Sequence, residues 1–180
     1  MIDAKSNEVL WVEKYRPQVV KDTILPNKIK ESFRKFVSDG SVPNLLLTGG
    51  PGVGKTTIAK AMLDELGCDY IVKNGSLNVN IDTLRYDIST FASAVSLSGT
   101  GRKYVIFDEA DYLNAANVQP ALRNFIEEYS SNCGFIFTCN FKNRIISPLR
   151  SRLSEVDFSI DTADRPQMAM EFFKRVKGIL

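Results

Sequence analysis

Gly49-Gly50-Pro51-Gly52-Val53-Gly54-Lys55-Thr56 meets the pattern G-x-x-x-x-G-K-[ST] at every fixed position. An apolar run, Asn44-Leu45-Leu46-Leu47-Thr48, leads into it, and Thr56 to Leu66 leads out with alanines, a lysine and apolar residues at helical spacing. The context is strand, loop, helix. Residue chemistry explains the pattern. Glycines let successive backbone N–H groups turn inward around phosphate oxygens where a Cβ would obstruct the curve. Lys55 brings a compact positive charge to β- and γ-phosphates, and Thr56 offers a hydroxyl to Mg²⁺. The dipole of the following helix points its positive end at the same anion. Gly50, Gly52, Val53, Gly54, Lys55, Thr56 and Thr57 are the expected phosphate-side residues of a nucleoside triphosphate site. A glycine-rich turn that merely contains lysine is the alternative.

Other elements follow from period and punctuation. Asn27 to Ser38 carries Ile29, Phe33, Phe36 and Val37 on one stripe and is stopped by Gly40, which predicts an amphipathic helix. Tyr70 to Lys73 reads as a short strand and Asn74-Gly75-Ser76 as a turn. Ile81 to Val95 is helical, with Ile81, Leu84, Ile88, Phe91, Ala92 and Val95 inward, so Arg85 falls on the exposed side. Asn117 to Glu128 is helical with Val118, Ala121, Leu122, Phe125 and Ile126 inward. Phe135 to Cys139 is a strand, an alternating strand runs through Phe158, and Arg165 to Ile179 is a last helix. Strands alternating with crossover-length helices imply a parallel sheet covered on both faces. Residues 1–9 are polar and expected to be loosely ordered.

A buried run, Tyr104-Val105-Ile106-Phe107, ends in Asp108-Glu109-Ala110-Asp111. Metal-side carboxylates must emerge at a strand's carboxyl end to stand beside the phosphates, and this is the form they take. Asp108 is expected to hold Mg²⁺, directly or through water, and Glu109 to polarise the attacking water. An acidic turn after a strand is the plain alternative. The chain has no histidine, so any hydrolytic base must be a carboxylate. Asn140, at the end of a strand, is either a turn former or a group that reaches the γ-phosphate or the water. The aromatic and basic stretch Leu10-Trp11-Val12-Glu13-Lys14-Tyr15-Arg16-Pro17 is either an arm packing on the core or one side of an adenine pocket.

Length and charge bound the rest. The 180 residues suggest one domain with room for the start of a second. A formal charge of +2 means that any nucleic-acid surface comes from local clustering. Cys68, Cys133 and Cys139 lack C-x-x-C spacing, which argues against zinc and disulfides and for a reducing compartment. No apolar run approaches membrane-spanning length, so a soluble cytoplasmic chain without a membrane partner is expected.

In combination, these residues resemble a family. Trp11 through Pro17, the phosphate loop, Phe107-Asp108-Glu109-Ala110-Asp111, Leu122-Arg123 ahead of Glu127, Asn140 and Ser151-Arg152 occur in the order seen in AAA+ clamp-loader ATPase subunits. These are the small subunits of replication factor C and their T4-like phage counterparts. The similarity covers residues 10 to about 160, and Asn74-Gly75-Ser76, Phe91-Ala92-Ser93-Ala94 and Glu128-Tyr129-Ser130-Ser131-Asn132-Cys133 look closest to the phage branch. The resemblance implies a P-loop three-layer α/β/α fold with a parallel five-stranded sheet over residues 1–160, then the start of a helical lid over residues 161–180. It implies ATP and Mg²⁺ as cofactors, with Lys55, Glu109 and Asn140 catalytic, Thr56 and Asp108 at the metal, and Tyr15, Arg16 and Pro17 on the adenine side. Arg152 matches the Ser-Arg-Cys arginine that reaches a neighbouring subunit's ATP, with Leu153 in place of the cysteine. Arg85 and Arg144 match positions facing the DNA backbone, and Arg123 one that couples DNA binding to Glu109.

The implied function is an ATPase subunit that works in a ring with other subunits, opens a sliding clamp and loads it on primer-template DNA. Family members continue through a lid bearing a sensor-2 arginine and a collar, so the resemblance implies either a fragment or a subunit dependent on others. The competing readings are a nucleotide-binding structural subunit without turnover, another AAA+ ATPase that remodels DNA, and a small-molecule P-loop kinase.

Overall fold

The computed structural model describes residues 14–77, 80–94 and 102–179. The polar segment 1–9, the part of the aromatic and basic stretch from Leu10 to Glu13, and Val95 lie outside the described residues. Five strands make one sheet: β1 Leu45–Thr48, β2 Tyr70–Asn74, β3 Lys103–Asp108, β4 Cys133–Cys139 and β5 Ser154–Asp157. Their order is β2-β3-β4-β1-β5, and every neighbouring pair is parallel. The helices are α1 Asn27–Asp39, α2 Lys55–Glu65, α3 Ile81–Ser93, α4 Val118–Glu128, the short α5 Ser147–Arg150 and α6 Arg165–Ile179. The expected parallel five-stranded sheet is what the chain forms, with ends shifted from the sequence reading by one or two residues.

Continuous apolar runs are what a strand needs when both faces are covered. Leu45, Leu47, Tyr104, Ile106 and Ile136 pack toward Phe33 of α1 and Ile58 and Met62 of α2. Leu46, Val105, Phe107, Phe135 and Phe137 point the other way, toward Leu84 and Ile88 of α3 and Leu122 and Phe125 of α4. Two cores therefore sandwich the sheet. Phe107 and Phe137, paired across β3 and β4, stack with centroids 4.9 Å apart. β5 is an edge strand, as β2 is at the other end of the sheet, and its Ser154, Glu155 and Asp157 are exposed.

Helix α6 folds back onto α1. Lys30 Nζ meets Glu171 Oε2 at 2.6 Å, and the amides of Asn27 and Gln167 exchange hydrogen bonds. Phe172 and Phe173 of α6 face outward. At the sheet's carboxyl edge, β3, β4 and β1 end side by side, with Thr48 paired to Cys139. Neighbouring strands are spaced about 4.8 Å, so the groups that follow β1 and β3 start roughly 10 Å apart with β4 between them.

Candidate nucleotide site

The loop after β1 winds through Gly52 and Gly54 at φ 73° and 91°, values that suit glycine, and delivers Lys55 to the first turn of α2. Lys55 is 7% exposed. Its ammonium donates to Gly49 O and Gly50 O at 2.7 Å each and to Asn140 Oδ1 at 2.9 Å. Burial lowers the Lys55 pKa, an effect partly offset by Cys139, Asp111 and Asp108. Asn140 thus stands in contact with the loop lysine.

A second set of groups gathers on Asp108. Its Oδ1 accepts from Thr56 Oγ1 at 2.5 Å and from Thr138 Oγ1 at 2.6 Å, and Thr138 Oγ1 in turn accepts from the Glu109 N–H at 3.1 Å. Glu109 takes φ 53°, the only non-glycine positive φ among the described residues. A left-handed glutamate costs on the order of 1 kcal/mol, and such strain gathers at functional sites. Gly75 explains how the turn is accommodated. Its N–H donates to Asp108 O at 2.7 Å, and a Cβ there would lie 2.5 Å from Glu109 O. Asp108, Glu109, Thr138, Cys139 and Asn140 face residues 51–57 across one cavity of about 270 Å³. Burial pushes the Cys139 thiol up to about 11, so it lines that cavity as a protonated, weakly polar group. Oxygen donors from Thr56 and Asp108, already converged, suit a hard divalent cation such as Mg²⁺, which takes few protein ligands and keeps several waters.

The remaining predicted residues fall elsewhere. Pro17 walls an apolar hollow beside the loop, together with Ile24, Leu25, Gly54 and Thr57. Tyr15 instead lines a separate cleft against α1 and α6, and Arg16 is half-buried. Arg85 is exposed on α3, and Arg144 is exposed with its guanidinium over the rings of Phe141 at 4.9 Å and Tyr112 at 5.9 Å. Arg123 donates to Asn124 Oδ1 rather than to Glu109. Arg152 lies away from the chain's own cavity, against Glu127.

Two polar groups escaped the sequence reading. Thr138 sits in an otherwise apolar strand two residues before Asn140, and that interruption was the available signal. Gln119 is fully buried beside the inward stripe of α4. Its Nε2 donates to Leu113 O and Arg144 O, both at 3.0 Å, and its Oε1 accepts from the Ile146 N–H at 2.8 Å. One side chain therefore ties the turn after Glu109 to the segment bearing Arg144. Among the described residues no helix is long and apolar enough to cross a membrane.

Residues 45–162, more than half of the chain, match the family of ATPases associated with various cellular activities (AAA). The chain is 38% identical over 181 residues to the sliding-clamp-loader large subunit of Enterobacteria phage T4, covering 99% of this chain and 56% of that protein. It is 38% identical over 156 residues to the replication factor C small subunit of Saccharolobus solfataricus, covering 84% of this chain and 47% of that protein. The chain thus spans about half the length of the curated relatives it matches. Among solved structures it resembles RuvB of Thermotoga maritima, a Holliday junction branch migration motor, with TM-score 0.66 and 22% identity over 87% of this chain and 53% of that one. At that identity the likeness speaks for the fold alone.

Proposed function

The chain belongs to the family of ATPases associated with various cellular activities, and from that membership we propose that it is the nucleotide-hydrolysing part of a DNA sliding-clamp-loader subunit. The observation that carries the reading is the convergence of Lys55, Thr56, Asp108, Glu109 and Asn140 on one cavity at the sheet's carboxyl edge, in a chain 38% identical to a phage clamp-loader subunit.

In this reading the loop N–H groups and Lys55 bind the β- and γ-phosphates of ATP, and Thr56 with Asp108 holds Mg²⁺. The cation would supply charge stabilisation at the phosphoryl oxygens. Glu109 accepts the proton of the attacking water as it bonds to the γ-phosphorus, and the bond to the bridging β,γ-oxygen breaks. Asn140, which already holds Lys55, orients the γ-phosphate or the water. Tyr15, Arg16 and Pro17 serve the adenine side. Arg152 reaches a neighbouring subunit's nucleotide, where its guanidinium offsets charge on the departing γ-phosphoryl group. Arg85 and Arg144 contact the backbone of primer-template DNA without reading sequence, and Arg123 passes that contact to Glu109. Residues 1–160 form the nucleotide-binding unit and 161–180 begin a helical lid. The subunit works in the cytoplasm, in a ring with other loader subunits and a sliding clamp.

The test is an ATPase assay on the full-length natural protein assembled with its companion subunits. Clamp and primed DNA together are expected to stimulate hydrolysis well beyond either alone. A rate indifferent to both overturns the clamp-loading assignment.

A further inference from the structure

The apolar hollow beside the phosphate loop has a volume of about 210 Å³ and shares Gly54 and Thr57 with the phosphate cavity. A nucleotide whose phosphates lie in the loop leaves it past these two residues, so its sugar and base enter the hollow. Pro17 and Ile24 come from the arm before α1, and Arg175 comes from α6. Within the described part of the arm, Asp22 N–H donates to Val19 O and Thr23 N–H to Val20 O at 3.2 Å each.

Side chains from α2 and α6 bond to it. Glu65 at the end of α2 accepts the Val20 N–H at 2.7 Å. Arg175 donates through Nη1 to Asp22 O at 2.5 Å and through Nη2 to Tyr15 O at 2.6 Å. These two carbonyls lie on either side of Pro17, so the planar guanidinium fork spans the piece of arm that forms the hollow's wall. Lysine, with one compact ammonium, does not match that span.

We infer that Arg175 is a positioning residue for the nucleobase, clasping the arm over the base pocket and tying the pocket's shape to the seat of α6. The inference rests on reading the phosphate loop as a nucleotide site. Arg175 is not alone in anchoring α6, which is also held to α1 by Lys30–Glu171 and Asn27–Gln167. Loss of the clasp therefore opens the base side while the phosphate side stays built.

The experiment titrates the full-length natural protein with ATP and, separately, with inorganic tripolyphosphate, which has the phosphates and no base. Arg175→Ala is expected to weaken ATP about tenfold, the effect of losing charge-assisted hydrogen bonds at a partly exposed site, and to leave tripolyphosphate within about twofold. In the assembled ring, KM for ATP rises by a similar factor while kcat changes little. Arg175→Lys recovers part of the ATP affinity, and it supplies the same ratio if the alanine form does not fold. Parallel weakening of both ligands, or ATP binding equal to wild type, overturns the inference and leaves the nucleotide site standing. A wild-type protein that binds neither ligand overturns the site reading and the inference with it.

Discussion

Arg152 is clasped by Glu127 of its own chain: Nη2 and Nε lie 2.5 Å and 2.7 Å from Glu127 Oε1, and Nη1 donates to Pro148 O at 2.7 Å. All three guanidinium nitrogens are thus engaged within one protomer. The pair is largely solvated, with side-chain exposures of 34% and 57%. A solvated pair of this kind contributes about 0.2–1 kcal/mol, little enough for the proposed partner, a triphosphate in a neighbouring subunit, to replace it. Arg152→Ala in the assembled ring is expected to lower turnover by about a thousandfold. Glu127→Gln frees the same arginine and should raise the rate without DNA by about two- to fivefold. Steady-state ATPase assays with and without primed DNA check both, and unchanged turnover in Arg152→Ala removes the trans-acting role.

Glu109→Gln keeps the shape of the side chain and removes its basicity. The residue's backbone position is fixed by its N–H bond to Thr138 and by the close approach of Gly75, so the substitution should leave the loop and Lys55 in place. Nucleotide binding is expected to persist while turnover falls on the order of a hundredfold or more. Equilibrium binding alongside single-turnover hydrolysis separates the two.

Lys55 gives a pH signature with two opposite signs. Burial holds its pKa below the ordinary lysine value. Between those values the unfolded chain carries the extra proton, so this group makes the nucleotide-free protein more stable as pH rises through the window. Triphosphate affinity needs the ammonium and falls over the same alkaline range. Lys55→Met should remove this group's share of both slopes, while the buried Cys133 and Cys139 thiols, pushed up to about 11, keep their opposite contribution to the first. Triphosphate binding drops on the order of a hundredfold. Denaturation midpoints and binding isotherms across pH measure each sign.

The elements were legible in the sequence because each carried its own period. The continuous runs of β1, β3 and β4 and the stripe on α4 answer to burial on two faces and on one. The gathering of Lys55, Asp108 and Asn140 was legible from the placement of each beside a strand's carboxyl end. What the chain pattern could not express was contact between segments far apart in sequence. Arg175 reaches Tyr15 across 160 positions, and no local spacing encodes that. Gln119 is one polar residue among several on α4, and its role depends on where Leu113, Arg144 and Ile146 come to rest. The contact of Arg152 with Glu127 likewise joins residues 25 positions apart.

Gln119 supplies a prediction about stability. Gln119→Leu fits the buried space but leaves the Leu113 and Arg144 carbonyls and the Ile146 N–H without the bonds that Gln119 makes. Stranding buried backbone groups costs about 1–3 kcal/mol each, tempered by relaxation, so a loss of about 2–4 kcal/mol is expected. The urea midpoint should fall with an unchanged slope. Because the lost bonds anchor the segment carrying Arg144, DNA stimulation of the ATPase should weaken in this variant even under conditions where it is fully folded.

Gly75→Ala tests whether the strained turn at Glu109 is held from β2. The added Cβ would meet Glu109 O at 2.5 Å and Leu113 Cγ at 3.1 Å. The first contact is backbone and cannot rotate away, so the turn must shift, and a shift of this kind costs about 1–3 kcal/mol. Glu109 is the group displaced, since it is the residue whose φ of 53° has little room to adjust. The phosphate loop is built from β1 and α2 and takes no part in the clash. Turnover is therefore expected to fall by about tenfold or more while triphosphate affinity stays within about threefold. Gly178→Ala, whose Cβ meets nothing within 4 Å, serves as the neutral comparison. Equal losses of affinity and turnover in Gly75→Ala mean that the substitution loosens the sheet edge as a whole; loss of turnover alone means that β2 sets the position of the catalytic carboxylate.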